Sequence, residues 1–138
     1  MYQLIYGSSA TENLDWEDVR DLAKIAADKN KVNNITGCLI YGNNSFIQIL
    51  EGESNAINSL YLEIAQDTRH KDVRLLDYSK ISAKSFSSWS MGCVLANAQN
   101  EVKNVAQEYF RSDTIYPYDL SPESARLFMI EIAQYYKE

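Results

Sequence analysis

Basic clusters, metal-ligand pairs and long apolar runs are all missing from this sequence, and each absence removes a class of function. His70 is its only histidine, which rules out a multi-histidine metal site. The two cysteines, Cys38 and Cys93, stand singly inside apolar segments without C-x-x-C spacing. They read as small buried hydrophobes rather than as a disulfide framework or metal ligands. Basic residues number 13 against 19 acidic ones, for a formal charge of -6. No basic run of about five or six residues is present to track a phosphate backbone, so nucleic acid is not an expected partner. Apolar runs such as Cys38-Leu39-Ile40-Tyr41 are strand-sized, and the N-terminus lacks the charged and hydrophobic regions of a signal peptide, so the expected location is the cytoplasm, without a membrane association. There is no Gly-rich phosphate loop, no nicotinamide-binding G-x-G-x-x-G, and no recognisable pairing of nucleophile and base. An enzyme is not expected.

What the chain does have is the material for one globular fold: 138 residues, 46% of them hydrophobic. Tyr2 to Ser8 reads as a strand. Asp15 can cap a helix whose apolar positions Val19, Leu22, Ala23 and Ala26 recur at i, i+3, i+4, i+7, with its end expected near Asn30. Two apolar runs, Thr36 to Tyr41 and Phe46 to Leu50, flank Gly42-Asn43-Asn44-Ser45, a turn composition that favours a hairpin. A second helix follows Ser54 or Asn55 with Ile57, Leu60, Tyr61 and Ile64 on one face. Val73 to Ile81 and Phe86 to Leu95 read as further strands. The resulting order, βαββαββ, predicts an α+β, ferredoxin-like sheet in which the first and third strands lie side by side and both helices cover one face. Beyond Ala98 the pattern changes to two helices, one over Glu101 to Phe110 and one started by Ser121-Pro122-Glu123. The apolar stripe of the last helix, Ala125, Phe128, Met129 and Ile132, needs cover, which either the open face of the sheet or a partner protein would give. The expected division is a core over residues 1–95 and a helical extension over 96–138.

Several side chains in this frame have chemical uses. Phe46, Gln48 and Leu50 share a strand face, and if helices cover that face a carboxamide is driven into an apolar layer. Unpaired there, it would cost about 1–3 kcal/mol. Its acceptor and two donors exchange places when the amide rotates. The alternative is a glutamine on the solvent side of an edge strand. Tyr6, on the same face as Leu4, is a natural hydrogen-bond partner for Gln48, although a strand tyrosine more often just packs its ring. Asn30 either ends its helix or offers a carboxamide to a polar ligand between the helices. Asp67, Arg69 and His70 close the second helix, where basic groups ordinarily complement the helix dipole. Trp89 and Met91 fall on one side of a strand if periodicity holds, with core packing as their default role. A tryptophan can also donate an electron or act as a plug with two positions.

Taken jointly, Tyr6, Asn30, the block Asn34-Ile35-Thr36-Gly37 through Gln48 to Leu50-Glu51-Gly52, the run Asp67-Thr68-Arg69-His70, and Trp89-Ser90-Met91-Gly92 resemble the BLUF family of blue-light sensors. The resemblance covers roughly residues 1–95, and the two final helices are similar to those of short, stand-alone members of the PixD type. It implies noncovalent FAD with its ring between the two helices, held by Asn30 at the pyrimidine edge, with Asp67, Arg69 and His70 nearby. It implies Tyr6 as electron donor, Gln48 as relay and a switch involving Trp89 and Met91. The output it implies is a light-dependent change in a protein partner or homo-oligomer, through C-terminal aromatics such as Tyr109, Phe110, Tyr116, Tyr118, Tyr135 and Tyr136. Two readings compete: a light-insensitive interaction module on the same fold, and a small flavin-dependent redox enzyme.

Overall fold

Two asparagines make a tight two-residue turn between neighbouring strands. Asn43 and Asn44 both take left-handed backbone angles, φ 51 and 55, which is the requirement of a two-residue type I′ hairpin and is tolerated by asparagine better than by other side-chain-bearing residues. The computed structural model describes residues 1–95, 100–112 and 114–135. In chain order these form β1 (Tyr2–Ala10), α1 (Trp16–Val32), β2 (Thr36–Gly42), β3 (Ser45–Gly52), α2 (Ser54–Gln66), β4 (His70–Lys80), β5 (Gly92–Leu95), α3 (Asn100–Phe110) and α4 (Pro122–Tyr135), with a short 3-10 turn at Pro117–Asp119.

The sheet order is β4-β1-β3-β2-β5, antiparallel except for the parallel β2–β5 edge, so β1 and β3 are neighbours in its middle as the ferredoxin-like expectation requires. Side chains alternate across the sheet and divide the interior into two cores. On one face Leu4, Tyr6, Phe46 and Leu50 pack with Val19, Ala23 and Leu22 of α1 and Ile57, Leu60 and Ile64 of α2. On the other, Ile5, Ile47 and Ile49 pack with Val102 and Val105 of α3 and Phe128, Met129 and Ile132 of α4. The stripe of α4 is thus covered by the sheet of its own chain. Burying each such side chain contributes on the order of 1.5–3 kcal/mol.

Helix starts follow the sequence signals. The Asp15 side chain accepts from Asp18 N while Asp18 returns the bond to Asp15 N, a reciprocal cap. Ser121 Oγ accepts from Ser124 N at 3.1 Å. α1 ends at Val32, close to the expected Asn30, and the left-handed residue of its exit is Asn34, φ 55. Other expectations need correction. β4 starts earlier than Val73, at His70, and β5 is limited to Gly92–Leu95. Residues 86–91, read as strand, are irregular. Among the C-terminal aromatics, Tyr116 and Tyr135 are exposed. Tyr109 bonds Glu131 and abuts Phe128, Phe110 packs on Phe128, and Tyr118 bonds Asp72 O and lies under Arg74, so these three are spent within the fold. Tyr136 lies outside the described residues, as do residues 96–99 that adjoin the expected boundary at 95.

Candidate functional site

β1 and β3 are in a register that sets Tyr6 directly opposite Gln48. Both side chains point to the α1/α2 side, where they are 1% and 5% exposed. The Tyr6 hydroxyl donates to Gln48 Oε1, and Gln48 Nε2 donates to Met91 Sδ at 3.1 Å. The buried carboxamide therefore has a strong donor on its oxygen and a soft acceptor on its nitrogen. Burial pushes the Tyr6 phenol well above its ordinary range, reinforced by Tyr61 and Asp67, so the phenol is held neutral.

Asn30, in the last turn of α1, is 1% exposed. Its Nδ2 donates to Ser90 O at 3.1 Å, whereas its Oδ1, among the described residues, has no hydrogen-bond partner. A buried carbonyl oxygen left alone is expensive unless something donates to it. Asp67 caps α2, and Arg69 lies against it, with Nε 2.9 Å from Oδ1 and 3.1 Å from Oδ2 and Nη2 also on Oδ2. That fork, more than any other influence, lowers the Asp67 carboxyl to about 2. His70 begins β4 rather than closing α2. Its Nδ1 is 2.8 Å from Ser8 Oγ, its ring is 4.8 Å from that of Phe46, and burial lowers its pKa.

These groups converge on one cleft of about 190 Å³ between α1 and α2. Leu22, Ile25 and Ala26 form one wall, Leu60 and Ile64 the other, and Leu39 and Phe46 the sheet-side floor, with Tyr6, Asn30, Gln48, Asp67, Arg69 and His70 as its polar points. All six cleft residues expected from sequence are thus brought together. Met91 joins them through Gln48. Trp89 does not: its ring packs in the opposite core, 5.6 Å from Phe86, while Met91 sits in the core beneath α1 and α2. The expectation that the two share a side fails because it assumed a strand, and an irregular backbone obeys no two-residue period. Sequence reasoning also missed Ser8, which holds His70, and the ion pair Lys29–Glu63 that joins α1 to α2 at the cleft. Only the side-chain types of Ser8, Lys29 and Glu63 were visible in sequence, since each pairing spans distant elements.

An apolar cleft carrying several polar side chains, a phenol and an amide among them, fits a binding domain for a planar heterocycle of the flavin type. The orphaned Asn30 Oδ1 is an acceptor waiting for a donor, which matches the single ring N–H of an oxidised flavin at its pyrimidine edge. The family model for BLUF, sensors of blue light using FAD, matches residues 1–92, and the chain belongs to that family. Flavin-based sensing of blue light is accordingly its function, with FAD as cofactor. The photoactivated adenylate cyclase subunit alpha of Euglena gracilis is 40% identical over 85 residues, 62% of this chain and 8% of that protein. The chain spans less than a tenth of the length of the first curated relatives that it matches. Among solved structures, BlsA in its photo-activated state aligns with TM-score 0.83 and 31% identity over 96% of this chain and 94% of its own. The dark state of BlrB, a BLUF protein, aligns with TM-score 0.81 and 28% identity over 98% of this chain and 96% of its own. No helix of the described residues is long and apolar enough to cross a membrane.

Proposed function

We propose that this chain senses light without catalysing turnover, through a Tyr6–Gln48–Met91 relay in a core formed by residues 1–95, and signals through the extension 96–138. The continuous hydrogen-bond path from the Tyr6 hydroxyl through both ends of the Gln48 amide to Met91 carries this reading. Bound FAD would supply the absorption of blue light and an excited-state oxidant. Tyr6 would be the electron donor, release its proton along the bond to Gln48 Oε1 and recover both within the cycle, so that nothing is consumed. Gln48 comes out with its amide rotated or tautomerised, its donor turned away from Met91. Asn30 would hold the pyrimidine edge through Oδ1, and Asp67, Arg69 and His70, which line the same cleft, would hold the flavin with it. Release of Met91 biases the segment leading into β5, with Trp89 on its far side against Phe86 and the core of α3 and α4.

The output of this reading is a light-dependent contact with a protein partner or a second copy, in the cytoplasm, with Tyr116 and Tyr135 as its exposed aromatics. The cyclase activity of the Euglena relatives belongs to those much longer proteins. The deciding experiment is the absorption spectrum of the purified protein before and after blue illumination. A reversible red shift of the flavin band is expected, and a flavin-loaded protein with an unchanged spectrum sinks the reading. Size-exclusion chromatography in dark and light, with and without a candidate partner, tests the output, and identical assembly throughout rejects it.

The cleft assignment makes its own prediction. Asn30→Ala removes the unpaired acceptor and is expected to weaken FAD binding by about tenfold, the worth of one hydrogen bond made inside an apolar site. Titration of the apoprotein by flavin fluorescence measures it. Unchanged affinity would assign Asn30 to the backbone of Ser90 alone.

A further inference from the structure

The block Leu50-Glu51-Gly52 contains a group that the relay does not use. Glu51, at the end of β3, is 0% exposed, and a buried acid demands partners. Among the described residues it makes no ion pair, and its three contacts are all hydrogen-bond donors. Oε2 accepts from Ser85 N at 2.7 Å. Oε1 accepts from Phe86 N at 2.9 Å and from Thr36 Oγ1 at 3.2 Å. Two of the three are successive amides of the irregular segment between β4 and β5. A carboxylate facing two adjacent N–H groups makes the strong, charge-assisted kind of bond and fixes the backbone that bears them.

What that segment does next gives the acid its meaning. Trp89 N donates back to Phe86 O at 3.0 Å, and Trp89 O accepts from Gly37 N at 3.0 Å. Ser90 O takes the Asn30 amide, and Met91 Sδ takes the Gln48 amide. Both carboxamides of the flavin cleft thus lean on a stretch of chain with no ladder of its own, and its upstream end is tied down by Glu51. The acid itself is not among the residues that line the cleft.

We infer that Glu51 is a positioning residue of the light switch: by clamping the amides of Ser85 and Phe86 it fixes the 85–91 segment with Met91 on Gln48 and Trp89 in the opposite core, and so favours the dark arrangement. This rests on the relay reading above. Its own content is the clamp, which governs how readily the segment leaves and returns, not whether Gln48 responds to light. Burial raises the Glu51 pKa, while its three hydrogen bonds and the nearby charge of Lys84 oppose that rise.

The test variant is Glu51→Gln, in a Trp16→Phe background so that 5-fluorotryptophan reports Trp89 only. Glutamine can keep the bonds at the Oε1 position but sets an NH2 group against Ser85 N–H. The variant is expected to load FAD, to retain the red shift, and to return to the dark state about fivefold more slowly, the effect of losing one hydrogen bond. Its Trp89 fluorine signal is expected to split or broaden in the dark, in the apoprotein as well. Thr36→Val, which removes the third donor and leaves both loop amides, is the control: it lowers the melting temperature but leaves recovery and the Trp89 signal as in the parent. Should Glu51→Gln not fold, Ser85→Pro removes a clamped amide from an exposed position and carries the same two expectations. An unchanged recovery rate or an unchanged single Trp89 signal in the variant overturns the inference. Absence of any red shift in the parent protein would instead overturn the relay.

Discussion

Tyr6→Phe is expected to bind FAD normally and to show no blue-light-induced red shift. Only the hydroxyl is lost, and the ring still fills its place beside Leu4 and opposite Tyr61, whose ring centre lies 5.7 Å away. Without the hydroxyl there is no proton to follow the electron, and Gln48 Oε1 receives no donor from β1. The amide loses the contact that fixes its orientation, so its ground-state placement changes along with its response. Some stability is lost as well, about 1–3 kcal/mol for a buried acceptor left alone, which a thermal melt registers. Gln48→Leu is expected to give the same dark, coloured and unresponsive protein by removing the relay instead of the donor. The two variants separate by stability: leucine at position 48 leaves the Tyr6 hydroxyl as the buried orphan, in an otherwise apolar layer. Steady-state difference spectra after saturating illumination measure both, and a normal photocycle in either variant refutes the relay as drawn.

The parts of this site that were legible in sequence are those set by local rules. Strand alternation puts Phe46, Gln48 and Leu50 on one face and the sheet order makes β1 the neighbour of β3, so a Tyr6–Gln48 bond is natural if helices cover that face, but alternation alone leaves open which face they cover. Asp15 and Ser121 announced their helices by capping chemistry. The stripe on α4 announced that something must cover it, and the sheet does. The failures share a different cause. The helix end near Asn30 is legible, since α1 stops at Val32, but which asparagine takes the left-handed position is not: it is Asn34. Trp89 and Met91 were placed on one side because periodicity was applied where no strand exists. The true arrangement there is dictated by Glu51 and Gly37, which reach the segment from β3 and β2, and contacts between such distant positions leave no periodic trace. His70 likewise depends on Ser8, a residue whose type alone signals nothing.

Gly37→Ala is expected to destabilise the fold strongly. The glycine backbone here is not left-handed, so conformational freedom is not the reason for the residue. The reason is space. A Cβ on residue 37 would lie 1.9 Å from the carbonyl oxygen of Ile49 and 3.0 Å from its carbon. Those atoms belong to the backbone of the central strand β3, which is paired on both sides and cannot step aside as a side chain tip would. Relieving the clash means parting β2 from β3 by roughly an ångström at the register that also carries Gln48, a distortion of the overpacking kind that in a close-packed core costs about 3 kcal/mol or more. A drop of roughly 10 °C in melting temperature is then expected. Gly52→Ala is the comparison, because its nearest obstacle is Asn34 O at 3.3 Å and a slight adjustment relieves it. Function should fail with the fold. Gly37 N is the donor that holds Trp89 O, and Met91 Cε would lie 3.4 Å from the added carbon. Movement of β2 therefore disturbs the same 85–91 segment that Glu51 clamps. FAD titration and thermal melting of the two alanine variants, side by side, decide it: equal stability would mean that the β2–β3 pair yields more easily than its hydrogen-bonded register implies.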